Sequence, residues 1–205
     1  MALHIINHPI AEHVLTNLRD RKTTQAEYHT LCRRIGTILF TKAFENLALE
    51  STTVTTPLCN CEGKILASDV VLIPILRAGF ALLTPALELL PDAIVGYFGL
   101  QRNGEAKVEC YYQKLPPVTD MDVFILDPML ATGNSAHFAI RMLQNFQPKS
   151  INFVSILGAP EGIRRIMDEF PLVNIFTIAM DKELNEKNFI VPGLGDFGDR
   201  FHGTL

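Results

Sequence analysis

Residues Asp122 to Ser135 read DVFILDPMLATGNS, and no other stretch of the chain narrows its fold so far. Val123, Phe124, Ile125 and Leu126 form an apolar run with no polar interruption, bounded by Asp122 and by Asp127-Pro128. A strand wetted on one face alternates in polarity, whereas a continuous run suits a strand buried on both faces of a parallel sheet. The run ends in a carboxylate and a loop of small residues, Ala131-Thr132-Gly133-Asn134-Ser135, after which His137 to Phe146 has a helical pattern. Strand, acid, loop and helix N-terminus together make an anion cradle. Backbone N–H groups of the loop and first turn converge on a phosphate, and the helix dipole favours its charge. The carboxylate just upstream can hold ribose hydroxyls or a hydrated magnesium ion.

Similar runs recur along the chain. Asp69 to Leu76 (DVVLIPIL), Ala93 to Leu100 (AIVGYFGL), Ser150 to Leu157 and Val173 to Met180 read as strands. Helical stretches are predicted from Phe80 to Leu90 and from Ala159 to Phe170, with Pro160 suited to a first helical position. This alternation predicts an α/β fold, a mainly parallel sheet covered by helices, with ligands at the carboxyl ends of its strands. Three of those ends carry charge: Arg77, Arg102 and Asp127. Two cations and an acid at one rim suit a sugar bearing a polyphosphate, together with magnesium.

Periodicity and turn signals predict the remaining segments. Residues 1–50 form an N-terminal helical segment. In it Val14, Leu15 and Leu18 share a face, and the capping box Thr24-x-x-Glu27 opens a long run to about Glu50. Ser51 to Pro57 and Lys64 to Leu66 make a small hairpin. Asn103 to Asp120 is a polar, irregular stretch holding Tyr111 and Tyr112, expected to be a loop that closes over the site. In the tail, residues 185–205, glycines stand too densely for helix or strand. Ile190, Val191, Leu194, Phe197 and Phe201 are nevertheless more apolar than a solvated tail would be. A loop folded back on the domain is expected, with backbone groups free to approach a flat heterocycle.

Length and charge exclude several classes. The 205 residues suit a single domain over 1–205. A net charge of −4 weighs against nucleic acid as a partner. No apolar run approaches the roughly 20 residues a bilayer span needs, and MALHIINHPI lacks the pattern of a signal peptide. A cytoplasmic protein with no membrane partner is expected. Cys59-x-Cys61 is closer than zinc ligands usually stand and has no second pair, so the four cysteines read as reduced thiols.

Taken singly, Asp127 before a glycine-containing loop is a common turn, and an arginine after a strand is often just a solvated rim residue. The loop is neither a P-loop nor a dinucleotide fingerprint. Read together, Pro74-Ile75-Leu76-Arg77-Ala78-Gly79, Gly99-Leu100-Gln101-Arg102-Asn103, Asp127 to Gly133, Ala159-Pro160-Glu161-Gly162 and Ile190 to Asp196 resemble the uracil phosphoribosyltransferase family, in order and over nearly the whole chain. DPMLATG and PGLGD carry most of that likeness.

The resemblance implies a type I phosphoribosyltransferase fold and the conversion of uracil and 5-phosphoribosyl diphosphate to UMP and diphosphate. It implies that Asp127, Pro128, Met129, Leu130, Ala131, Thr132, Gly133, Asn134 and Ser135 bind the ribose 5-phosphate, and that Arg77 and Arg102 bind the diphosphate. Ile190, Gly195, Asp196 and Phe197 would form the uracil site, with Asp196 also near the sugar diphosphate or its metal. Arg102, Asp127 and Asp196 would then carry the catalysis. Members use Mg2+, held here mainly through substrate and water, usually as homodimers or higher homo-oligomers, and some are activated by GTP. The family usually has Gly where Asn134 stands, Ala where Phe197 stands, and a more acidic run than Asn103-Gly104-Glu105-Ala106. The first departure would put a side chain near the phosphate, and the second falls where base preference is decided. Two other readings stay open: a regulatory protein of this fold with weakened catalysis, and a transferase for another base.

Overall fold

The computed structural model describes residues 2–102 and 108–204, with only the backbone of Arg102. In chain order the elements are β1 (Leu3–Ile5), α1 (Pro9–Arg19), α2 (Gln25–Ala43), β2 (Leu49–Thr55), β3 (Asn60–Leu66), β4 (Val70–Leu76), α3 (Phe80–Leu89), β5 (Ile94–Val95), β6 (Tyr97–Arg102) and β7 (Val108–Lys114). There follow β8 (Asp122–Leu126), β9 (Met129–Leu130), α4 (Asn134–Gln144), β10 (Ser150–Gly158), α5 (Pro160–Glu169), β11 (Asn174–Met180), β12 (Glu183–Leu184), β13 (Ile190–Val191) and α6 (Phe197–His202).

The main sheet has the order β1-β11-β10-β8-β4-β6-β7 and is parallel except for the β6–β7 pair. Its central strands are buried on both faces, as their unbroken apolar runs require. Alternate residues feed two cores. Leu72, Phe124, Val154 and Phe176 pack under α1, α2 and α3, while Ile73, Ile125, Phe153 and Ile175 pack under α4 and α5. The arrangement is the three-layer α/β architecture that the strand–helix alternation dictates.

Several expectations are corrected. The N-terminal segment is not wholly helical: β1 adds an edge strand to β11, and α2 ends at Ala43, so Glu50 lies in β2. Three residues are too few to show a period, and the apolar spacing of α2 merely continues into the next element. The capping box is present, with Thr24 Oγ1 accepting from Glu27 N and Glu27 Oε2 accepting from Thr24 N at 2.9 Å. The hairpin stands as β2 and β3, longer than expected and almost wholly exposed. The stretch after Arg102 is not an irregular loop throughout, because Val108–Lys114 returns antiparallel along β6. Asn103, Gly104, Glu105 and Ala106, and the closing role expected of them, lie outside the described residues. The tail does hold a helix, α6, despite its glycines.

At the amino ends of the strands a polar cluster closes the sheet. Asp122, 7% exposed, accepts from Lys149 Nζ at 2.7 Å and Ser150 Oγ at 2.6 Å. Burial alone would raise its carboxyl, but these hydrogen bonds outweigh burial and hold it below the usual range.

Candidate active site

The strand order sets the site. β8 lies beside β4, and β4 beside β6, so the positions after Leu126, Leu76 and Gly99 share one rim. Gly99 is opposite Leu76, and β6 continues to Arg102 past the end of β4. The backbone of Arg102 pairs with Val108; its side chain lies outside the described residues. The Leu76–Arg77 peptide is cis.

The loop after β8 is held from both ends. Asp127 N donates to Val154 O at 3.1 Å, and Pro128 O accepts from Ile156 N at 2.9 Å and Leu157 N at 3.0 Å. Pro128 is thereby turned to the sheet, and Leu130, 1% exposed, packs into the core while also bordering the hollow that the loop encloses. Gly133, with φ 77°, takes the left-handed turn that starts α4. Asn134 is therefore helical and needs no unusual backbone angle; its Oδ1 accepts from Arg165 Nη1. A small hollow is cupped by this loop, with Asp127, Met129, Ala131, Thr132, Gly133 and Ser135 among its walls.

Beside it lies a hollow of about 580 Å³ bordered by Arg77, Gln101, Tyr111, Asp127, Ser135 and Asp196. Arg77 donates from Nη2 to Asp199 Oδ1 at 3.0 Å and from Nη1 to Thr204 Oγ1 at 3.2 Å. Hydrogen bonds from Thr204 and Arg77 hold the Asp199 carboxyl below its usual range. A third hollow, about 310 Å³, is bordered by Ala131, Phe189, Ile190, Gly195, Asp196 and Phe197. Asp127 borders all three hollows, and Asp196 the two larger ones. They form one trough along the carboxyl rim.

The tail is anchored rather than loose. Arg19 donates from Nη2 to Asp181 Oδ1 at 2.6 Å and from Nη1 to Asp181 Oδ2 and Gly193 O, each at 2.7 Å. Arg200 donates to Leu18 O at 2.5 Å, Leu194 O at 2.8 Å and Asp20 O at 2.6 Å. Its guanidinium carbon also lies 4.6 Å from the centre of the Tyr28 ring. Asp196 caps α6, accepting from Asp199 N at 2.9 Å. Phe197 is 2% exposed; its ring meets Tyr28 at 5.4 Å and Phe201 at 6.0 Å, so it bounds the third hollow from the core side.

Arg77, Asp127, Met129 to Ser135, Ile190, Gly195, Asp196 and Phe197 are thus brought together as expected, while Pro128 is not among the walls of these hollows. Sequence reasoning missed Gln101 and Tyr111 on the rim and Arg19, Arg165, Asp181 and Arg200 beneath it. The Tyr111-Tyr112 pair in an apparent loop was the available signal for the first two. No local pattern marks the contacts of Arg19 with Asp181, Arg165 with Asn134 or Arg200 with Leu18, because these partners lie far along the chain. Among the described residues, no group of three or more His, Cys, Asp or Glu side chains could hold a metal ion by itself.

The family model for uracil phosphoribosyltransferase matches residues 5–204. A uracil phosphoribosyltransferase from Campylobacter concisus is 42% identical over 203 residues, covering 98% of each chain. One from Legionella pneumophila strain Lens is 44% identical over 204 residues, covering 98% of this chain and 95% of the other. A solved protein from Aquifex aeolicus superposes with a TM-score of 0.95 at 35% identity, covering 98% of both chains. A hypoxanthine-guanine phosphoribosyltransferase from Bacillus anthracis shares the fold alone, with a TM-score of 0.51, 14% identity, and 65% of this chain and 72% of the other covered.

Proposed function

The chain belongs to the uracil phosphoribosyltransferase family, and from that premise we propose how its residues divide the work of the reaction. It is a transferase that joins uracil to the phosphoribosyl group of 5-phosphoribosyl diphosphate, giving UMP and diphosphate. The observation that carries the division is the shared wall: Asp127 borders the loop hollow, the arginine hollow and the tail hollow alike. A ribose seated over Asp127 would send its 5-phosphate to one neighbour, its diphosphate to the second and its anomeric carbon toward the third.

In this reading, N–H groups of Ala131 to Ser135 and the α4 dipole bind the 5-phosphate, with Met129 lining the approach. Arg77 and Arg102 bind the diphosphate and stabilise the negative charge that grows on it as the bond to the anomeric carbon breaks. Asp127 accepts hydrogen bonds from ribose hydroxyls and steadies the oxocarbenium-like transition state electrostatically. Uracil lies in the tail hollow against Ile190 and Phe197, read through backbone groups near Gly195, and Asp196 takes part in removing its proton. Holding both substrates in this trough supplies orientation, and burial strengthens each polar contact.

Asp127 and Asp196 supply hard oxygen donors on one hollow, which fits Mg2+ held chiefly by substrate oxygens and water. When bound, the ion neutralises charge on the departing diphosphate.

The reading extends to a single catalytic domain over residues 1–205, with residues 185–205 as its base-binding tail. It places the protein in the cytoplasm; among the described residues no helix is long and apolar enough to cross a membrane. Self-association as a homodimer or higher oligomer is supported by the hairpin, which exposes Leu49, Val54, Leu58 and Ile65. Sedimentation would test that part.

Incubation with labelled uracil, 5-phosphoribosyl diphosphate and magnesium should give UMP, with and without GTP to read any activation. A panel of other bases should give little product. Absence of UMP, or a clear preference for another base, would overturn the reading.

A further inference from the structure

The outer side of the anion loop is closed by a chain of side chains that the reaction does not require. Gly162, near the start of α5, lies so close to the loop that a Cβ there would stand 2.2 Å from Ala131 O and 3.0 Å from Gly133 N. Arg165 is three residues further on and projects from the same face of the helix. Its Cδ would lie 3.6 Å from a Cβ on Gly133. From there Nη1 donates to Asn134 Oδ1, while Nε donates to Glu169 Oε1 at 3.1 Å. Glu169 Oε2 in turn meets His137 Nε2 at 2.7 Å, back on α4. Asn134, Arg165, Glu169 and His137 thus tie the first turn of α4 to α5.

We propose that Arg165 is a positioning residue for 5-phosphoribosyl diphosphate binding: it holds the Asn134 side chain on the outer side of the loop, away from the phosphate hollow. This rests on the reading that residues 127–135 receive the 5-phosphate. Asn134 is the first residue of α4 and also a wall of that hollow, so its side chain has two places to go. A carboxamide oxygen turned inward would set a partial negative charge beside an anion. Arg165 offers that oxygen a charged donor on the other side, a stronger bond than a neutral one or water would give. The guanidinium leaves Asn134 little freedom because its planar fork is already oriented by Glu169. Coupling of this kind is local and needs no change in the fold. Arg165 itself is half-exposed, so its removal should leave the core intact.

The test is a double-mutant cycle on Arg165 and Asn134, with both Michaelis constants, kcat and the thermal midpoint measured for each variant. Arg165→Ala should raise KM for 5-phosphoribosyl diphosphate about tenfold, consistent with loss of a charged hydrogen bond. KM for uracil and kcat should stay within about twofold. With Asn134→Gly already present, no side chain is left to restrain, so adding Arg165→Ala should change that KM by less than about twofold. Arg165→Lys should fall between, since it keeps the charge without the fork. An equal rise in KM in both backgrounds would overturn the proposal, and so would no rise in either. Gly133→Ala supplies the separate check on the loop reading, since a Cβ at its left-handed angle strains the cradle itself. If that variant binds 5-phosphoribosyl diphosphate normally by calorimetry, the loop does not hold the phosphate. If it binds poorly while Arg165→Ala binds normally, the loop reading stands and only the proposal falls.

Discussion

The guanidinium of Arg19, in the last turn of α1, grips both carboxylate oxygens of Asp181 at 2.6 and 2.7 Å. Between them they also hold Gly193: Arg19 Nη1 donates to its carbonyl, and its N–H donates to Asp181 Oδ2 at 2.9 Å. A helix near the start of the chain thereby fixes the segment carrying Ile190, Gly195 and Asp196. The base hollow depends on this pair although neither residue borders it. Removing Arg19 leaves Asp181, whose side chain is 7% exposed, without its charged partner. Arg19→Ala should therefore cost about 3 kcal/mol of stability, as for breaking a buried ion pair. Urea unfolding reads that loss. KM for uracil should rise more than KM for 5-phosphoribosyl diphosphate, and a rise in the latter alone would contradict the anchoring role.

Arg77 faces the arginine hollow from a position already braced by Asp199 and Thr204. Arg77→Ala should lower kcat/KM on the order of a hundredfold, the usual effect of losing one preorganised donor to developing charge. Asp199→Ala keeps the cation but loosens it, so its effect should be smaller and fall mainly on KM for 5-phosphoribosyl diphosphate. Steady-state kinetics on the two variants separates bracing from direct contact. Equal losses would mean that Arg77 acts only as a partner for α6.

Phe197 changes meaning between sequence and structure. A large ring at a position assigned to the base site suggests a filled base pocket, yet the ring is packed against Tyr28 and Phe201. Phe197→Ala should lower stability by about 3 to 5 kcal/mol through the cavity it leaves. Because the ring also bounds the base hollow, KM for uracil should change with it, whereas an unchanged thermal midpoint would contradict its packing in the core.

The pattern of what could be read beforehand has a physical cause. Asp127 and Gly133 were legible because a buried strand and a strained turn leave local marks, and Arg77 because it ends such a strand. The capping box at Thr24 and Glu27 is local in the same sense. Arg19 with Asp181, Arg200 with Leu18, and Arg165 with Asn134 leave none, since each joins segments that only folding brings together. The short helix α6 was hidden for a related reason. Asp196 and Gly203 cap it, and six residues are too few to impose a periodicity. The return strand β7 escaped because it is mostly exposed, so its residues alternate little in polarity.

Acid should unfold the protein partly through Asp122. Its carboxyl lies below the usual value in the folded state, so the unfolded chain binds the proton more readily. The stabilisation is fully present above the unfolded carboxylate value of about 3.9, and is lost as pH falls through the lower folded value. Asp122→Asn should lower stability at neutral pH and flatten the fall below about pH 4, measured as urea midpoints across a pH series. Lys149→Met should do much the same by removing the 2.7 Å partner. An unchanged acid slope in the Asp122→Asn variant would move the responsible group elsewhere.

Gly162 tests how tightly the anion loop is built. A Cβ at this position would meet a backbone oxygen, Ala131 O, at 2.2 Å, which no rotamer change can relieve. Either α5 moves away from the loop or the loop shifts toward the ligand. Overpacking of this kind typically costs about 1 to 3 kcal/mol. Gly162→Ala should therefore lower the thermal midpoint and raise KM for 5-phosphoribosyl diphosphate together. Gly198→Ala is the contrast. It borders the same trough from α6, but its Cβ would lie 3.4 Å from Asp196 Oδ1 and 4.0 Å from Ala78 Cβ, and alanine suits a helix better than glycine. It should keep or raise the thermal midpoint. If Gly162→Ala is as stable as Gly198→Ala and binds the sugar diphosphate equally well, the close contact between α5 and the loop is not what shapes the cradle.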